Sequence, residues 1–124
     1  MKPAFSMGSI LVCTRSADAE KLRYGDCVVA HIPYSGEDLS VTKRIVGLPG
    51  DRIQIREGLL YRNGEAVPDG LPMIENAGIA ENPVLLAPGH CFLLGDNRNH
   101  SRDSREFGPV PVCFITNRIL FHLF

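Results

Sequence analysis

The sequence predicts an all-β domain, a folded antiparallel sheet of barrel-like form with one short helical turn and a small loop insertion. Three observations carry that prediction. Short runs rich in Val, Ile and Leu recur along the chain, separated by turn residues. Residues 52–56 (RIQIR) alternate polar and apolar at period two, as a half-buried strand does. Asn63-Gly64 sits between two strand-like runs, and that dipeptide supplies the positive φ angles of a tight hairpin turn. The 12 Gly and 9 Pro suit short strands joined by turns better than long helices.

Taken in order, residues 9–13 (SILVC) read as a first strand, and residues 16–22 (SADAEKL) as the helical turn, capped by Ser16 or Asp18. Strands follow over 27–32, 41–46, 52–56 and 59–62, the last turning through Asn63-Gly64 into 65–67. Residues 68–83 hold three Pro and two Gly with no clean period, which predicts a loop or small excursion from the sheet. Residues 90–94 and 113–121 read as the late strands. Gly-Asp recurs at 25–26, 50–51 and 95–96, each read as turn chemistry near a strand end.

With 124 residues, 44% hydrophobic and 22% charged, the chain is expected to be a single folded domain over 1–124. A net charge of −1 without a basic block argues against nucleic acid as a partner. No apolar run approaches the roughly 18–20 residues of a membrane span, so the chain as given is expected to be soluble. The cysteines, Cys13, Cys27, Cys91 and Cys113, form no CxxC pair, and no metal or other cofactor is expected. Each lies in or beside an apolar run, where a reduced thiol serves as a small hydrophobe; a disulfide is the other reading if the domain works outside the cytoplasm.

Two stretches concentrate the chemistry: KRIVGLPGD at 43–51, and GDNRNHSRDSREFG at 95–108 directly behind an apolar strand. A loop so dense in donors and acceptors is what a preorganised site needs, although a solvated loop has the same composition. Lys43 heads an apolar strand. A lysine in water titrates near about 10.4, and burial among apolar groups lowers that enough to leave a usable base. The residues alone leave two roles open for it, an inward base or a strand-end lysine reaching solvent.

These two stretches resemble, in the right order, segments of the type I signal peptidase family. Gly25-Asp26-Cys27-Val28-Val29 resembles a third segment, and Tyr61-Arg62-Asn63-Gly64 a hairpin found after the second. The resemblance implies a serine endopeptidase that removes signal peptides from exported preproteins with a Ser/Lys dyad. It assigns Lys43 as general base and Ser101 as the hydroxyl that orients it. Arg44, Asp103 and Arg105 match polar residues that hold the loop around the site. His100 falls where the family has a small polar residue and is read as surface variation, not as a triad histidine.

The family's serine lies in a segment of the form S-M-x-P-T-L-x-x-G-D-x-V. Ser6-Met7 lacks the proline two residues on. Starting the frame at Met1 places Pro3 on the proline, Phe5 on the large apolar position and Gly8-Ser9 on the Gly-Asp pair. In that register the nucleophile precedes Met1 and is absent, so the chain as supplied is expected to be inactive, truncated just after its serine or naturally dead. Pro3 and Phe5 would line the substrate groove.

The partners implied are signal peptides of preproteins and a membrane surface. The complete protein is expected to be membrane-anchored with its catalytic domain on the extracytoplasmic side; the oligomeric state is left open. Two other readings compete. One is a non-catalytic binding or assembly module on the same sheet, against which the retained Lys43 and Ser101 argue. The other is a pilus-maturation type of Ser/Lys peptidase, which shares the KRIVGLPGD-like segment. A self-cleaving repressor lacks anything like the 95–108 loop.

Overall fold

This computed structural model describes residues 22–34, 36–68 and 73–119. The strands are β1 (Cys27–Tyr34), β2 (Glu37–Gly47), β3 (Arg52–Arg56), β4 (Leu59–Arg62), β5 (Glu65–Ala66), β6 (Val84–Leu85), β7 (His90–Leu94), β8 (Val110–Pro111) and β9 (Ile115–Ile119). They form a five-stranded sheet in the order β8-β7-β2-β1-β9 and a four-stranded sheet in the order β5-β4-β3-β6. Every pairing is antiparallel. The all-β fold of folded antiparallel sheet with little helix is as the sequence predicts, with the strands divided between two sheets.

The run of apolar residues in β7 has a specific cause. Cys91 and Leu93 face one hydrophobic core with Val28, Ala30 and Ile32 of β1 and Ile45 of β2. Phe92 and Leu94 face a second core with Val46, Ile53, Ile55 and Leu60. A strand buried on both faces loses the polar alternation of a one-sided strand. Each such side chain, fully buried, contributes about 1.5–3 kcal/mol, so the β2–β7 ladder is the wall that couples the two cores. Cys91 is fully buried, and burial pushes its thiol up to about 12, which makes it a packing group rather than a reactive one.

Gly47 ends β2 where the chain leaves the first sheet for the second. A Cβ there would come within 2.8 Å of Leu86 Cδ1 and 2.9 Å of Ile53 Cδ1. The β2–β7 register shifts between Ile45 and Gly47 at the same place. At the hairpins, Asn63 and Gly64 have φ of 56° and 87°, as a tight turn of the inverted type requires. Glu57 and Gly58 (φ 52° and 82°) make a second such turn between β3 and β4.

Several differences from the sequence reading have local causes. β2 begins four residues earlier than 41, because pairing with β1 carries the polar stretch Glu37-Asp38-Leu39-Ser40 into the ladder. The 113–121 strand starts only at Ile115, after a 3-10 turn at Val112–Phe114. The insertion contains a 3-10 turn at Gly78–Glu81 and is followed by β6. Helix α1 (Ser104–Phe107) lies inside the stretch read as loop, capped by the Asp103 carboxylate accepting from Arg105 N. The predicted strand at 9–13 and most of the helical turn at 16–22 fall outside the described residues.

Candidate active site

Lys43 shares a face of β2 with Val41 and Ile45, which belong to the first core. It stands opposite the buried Val28 of β1. Alternation therefore delivers the amine to one side of the sheet at the end of β7, where the chain turns out into residues 95–103. There Lys43 Nζ donates to Ser101 Oγ at 2.9 Å. Among the described residues Lys43 makes no ion pair, so its hydrogen bond is to a neutral group.

Ser101 has its own constraint. Its hydroxyl donates to Asp103 Oδ2 at 3.0 Å, which leaves the oxygen lone pairs facing the lysine. Asp103 also accepts from Gly95 N at 3.0 Å and from Arg105 N at 3.1 Å. The Arg105 guanidinium grips it with two donors, Nε to Oδ1 at 2.9 Å and Nη2 to Oδ2 at 2.8 Å. Both side chains of this pair are buried, at 1% and 7% exposure. Burial alone would raise the Asp103 carboxyl, but the Arg105 guanidinium and the backbone N–H groups outweigh it and hold the carboxyl below its ordinary value. An ionised, five-fold satisfied carboxylate is a fixed acceptor, and it fixes the Ser101 rotor in turn.

Gly95 is more than a turn residue. A Cβ at this position would collide with Ser101 Oγ and lie 3.3 Å from Lys43 Nζ. The absence of a side chain is what lets β7 end against the lysine and serine. By contrast Gly25 and Gly50 have positive φ (88° and 92°) with open space around them, as the turn reading predicts.

Arg44 points to the opposite face from Lys43. It donates Nε to Asp96 Oδ1 at 2.9 Å, Nη2 to Asp96 Oδ2 at 2.7 Å and Nη1 to Gly25 O at 2.8 Å. One guanidinium thus ties together the segments carrying Gly25, Lys43 and Asp96. The pair is exposed, so its contribution is to geometry more than to stability. His100 is exposed and engages Asn97 O through its backbone N–H.

Sequence reasoning missed Asp51 as a hub. Its carboxylate accepts from Tyr24 Oη at 2.6 Å, Leu48 N at 2.8 Å and Asn63 Nδ2 at 3.0 Å. Burial opposes its charge, but these donors prevail and lower its pKa. The turn after the lysine strand is thereby bolted to the Asn63-Gly64 hairpin. Pro3, Phe5, Ser6 and the position expected for the nucleophile, before Met1, lie outside the described residues.

Among known proteins, the model of the family described as signal peptidase, peptidase S26, matches residues 1–124. A probable signal peptidase I-1 of Synechocystis is 31% identical over 131 residues, covering 100% of this chain and 66% of that protein. A signal peptidase I of Bacillus caldolyticus is 33% identical, covering 98% of this chain and 72% of that protein. A chloroplastic thylakoidal processing peptidase 1 of Arabidopsis thaliana is 38% identical over 88 residues, where the match spans only 25% of that protein. The crystal structure of a signal peptidase I from Enterococcus faecalis superposes with a TM-score of 0.61 at 26% identity, covering 80% of this chain and 97% of that one.

Proposed function

This chain belongs to the signal peptidase family, peptidase S26, and from that premise we propose that it is the catalytic domain of a serine endopeptidase removing signal peptides from exported preproteins. The observation that carries the assignment of residues is the Lys43 Nζ to Ser101 Oγ hydrogen bond, locked from behind by Asp103. A neutral amine has two N–H bonds and one lone pair. Committing one N–H to Ser101 aims the lone pair at a fixed direction, which a flexible four-carbon stem does not do unaided.

In the reaction, the Lys43 lone pair takes the proton of a serine hydroxyl as that oxygen attacks the scissile carbonyl. The lysine then gives the proton to the departing amine, leaving an acyl-enzyme. A water molecule, deprotonated by the same lysine, releases the signal peptide and restores the serine. The nucleophilic serine is assigned by sequence register alone and lies outside the described residues, with Ser6 as the competing residue. Pro3 and Phe5 are assigned to the groove in the same way. Arg44, Asp103 and Arg105 are assigned to holding the loop around the site.

The substrate in this reading is an extended peptide that adds as a strand beside the sheet. The working place is the extracytoplasmic face of a membrane, where signal peptides emerge. No helix among the described residues is long and apolar enough to cross a membrane. The contact proposed for this domain is with the membrane surface. Cleavage of a signal-peptide-bearing preprotein by the protein expressed from its complete gene, lost in Lys43→Met and Ser101→Ala, supports the proposal; cleavage indifferent to both removes it.

A further inference from the structure

We propose, resting on the reading of Lys43 and Ser101 given above, that residues 73–81 form a strap that positions the catalytic loop, with Gly78 and Asn99 as positioning residues. The strap has a firm base. Ile74 and Ala80 are buried in the second core, and Ile74 N donates to Gly58 O at 2.9 Å. From that base it reaches the loop at three points. Asn99 bridges to it twice, with Oδ1 accepting from Glu75 N at 2.9 Å and Nδ2 donating to Met73 O at 3.3 Å. Arg105 Nη1 donates to Asn76 O at 3.2 Å. Gly78 lies directly on the Arg105 backbone.

The contact at Gly78 admits no side chain. Its φ is 58°, held by Asn76 Oδ1 accepting from Gly78 N at 2.9 Å. A Cβ would collide with the Arg105 carbonyl oxygen and come within 2.9 Å of Arg105 Cβ. The same arginine therefore answers to two masters, Asn76 on the strap and Asp103 beneath Ser101. A displacement of the strap passes through Arg105 and Asp103 to the hydroxyl that aims the lysine.

Between strap and loop lies a polar cavity of about 400 Å³, with Glu75, Asn99, Ser101 and Asp103 among its walls. A loop that borders open space is not fixed by close packing on that side. The polar contacts at Asn99 and Arg105, with the close backbone approach at Gly78, are what set its position there.

The test follows the Lys43 side-chain amine by NMR in protein carrying isotope-labelled lysine. The variants are Gly78→Ala, Asn99→Ala, Ser101→Ala as reference and Gly36→Ala as control. Gly36 also has a positive φ (79°), with nothing near its Cβ position. The Lys43 resonance is expected to move in Gly78→Ala and Asn99→Ala in the direction it moves in Ser101→Ala, and to stay at the parent position in Gly36→Ala. In cleavage assays, kcat falls about 10-fold with KM within about twofold, as a misaimed base requires. A folded Gly78→Ala or Asn99→Ala protein with the parent Lys43 resonance and kcat overturns the strap; if Gly78→Ala does not fold, Asn99→Ala alone decides. A Lys43 resonance unmoved even by Ser101→Ala overturns the Ser/Lys reading itself, and the strap with it.

Discussion

Lys43 Nζ and Ser101 Oγ lie within hydrogen-bond reach, 2.9 Å apart, across a separation of 58 residues in sequence. Two features of the fold close that distance. Strand β2 pairs with β7, so the end of β7 arrives beside the lysine. Gly95 then lets the chain turn without a side chain between the two groups.

Ser101→Ala is expected to lower kcat by about 100-fold or more while KM changes little, because it removes aim and not substrate contact. The fold is retained, since Asp103 keeps the Gly95 N–H and the Arg105 guanidinium as partners. Steady-state cleavage with thermal melting separates the two effects.

Gly95→Ala is expected to cost both activity and stability. The new methyl group collides with Ser101 Oγ, and forcing an extra carbon into a packed site costs about 1–3 kcal/mol. Urea unfolding measures the loss. Gly25→Ala provides a contrast, because its cost is backbone strain at φ 88° with no collision.

The sequence made a good part of this arrangement legible, and the reason differs by element. β3, β4 and β7 have the bounds that the residues suggest, because period-two alternation and flanking turn residues are local signals. The Asn63-Gly64 turn is legible for the same reason. β6 and β8 have two residues each and exist only through their partners, which no local pattern encodes. The α1 turn carried a readable mark, Asp103 three residues before Glu106, which was lost in the polarity of the whole loop. Family motifs located Lys43 and Ser101, but not the grip of Asn76 and Gly78 on Arg105, which depends on the insertion folding back onto the second core.

Asp103→Asn is expected to destabilise the protein by about 3–5 kcal/mol, since it leaves the buried Arg105 charge without its partner. Replacing Asp103 and Arg105 together costs less than the sum of the single changes, and a double-mutant cycle in urea measures the coupling.

Acid is expected to act at Asp103 and at Asp51. Asp103 and Asp51 have folded-state pKa values lowered below those of the unfolded chain. The unfolded state therefore binds protons first as pH falls. Their contribution is fully present above the unfolded value near about 4 and is lost as pH drops through the lower folded values. Unfolding midpoints measured downward from pH 6 should fall only below about pH 4–5. In Asp103→Asn that acid dependence becomes shallower.

Phe92→Ala is expected to cost about 3–5 kcal/mol, because Phe92 is fully buried on the second-core side of the strand that couples both cores. Its effect on cleavage should follow the fraction of folded protein, as measured by comparing activity with circular dichroism across temperature.

Preprotein cleavage by Lys43→Met, expressed from the complete gene beside the parent, tests the assignment of Lys43 as the base. Methionine fills a similar volume without an amine. The expected result is a fall in kcat of about 100-fold to 10,000-fold, the usual worth of a positioned base, with an unchanged melting transition. Cleavage by Lys43→Met within about twofold of the parent would contradict it.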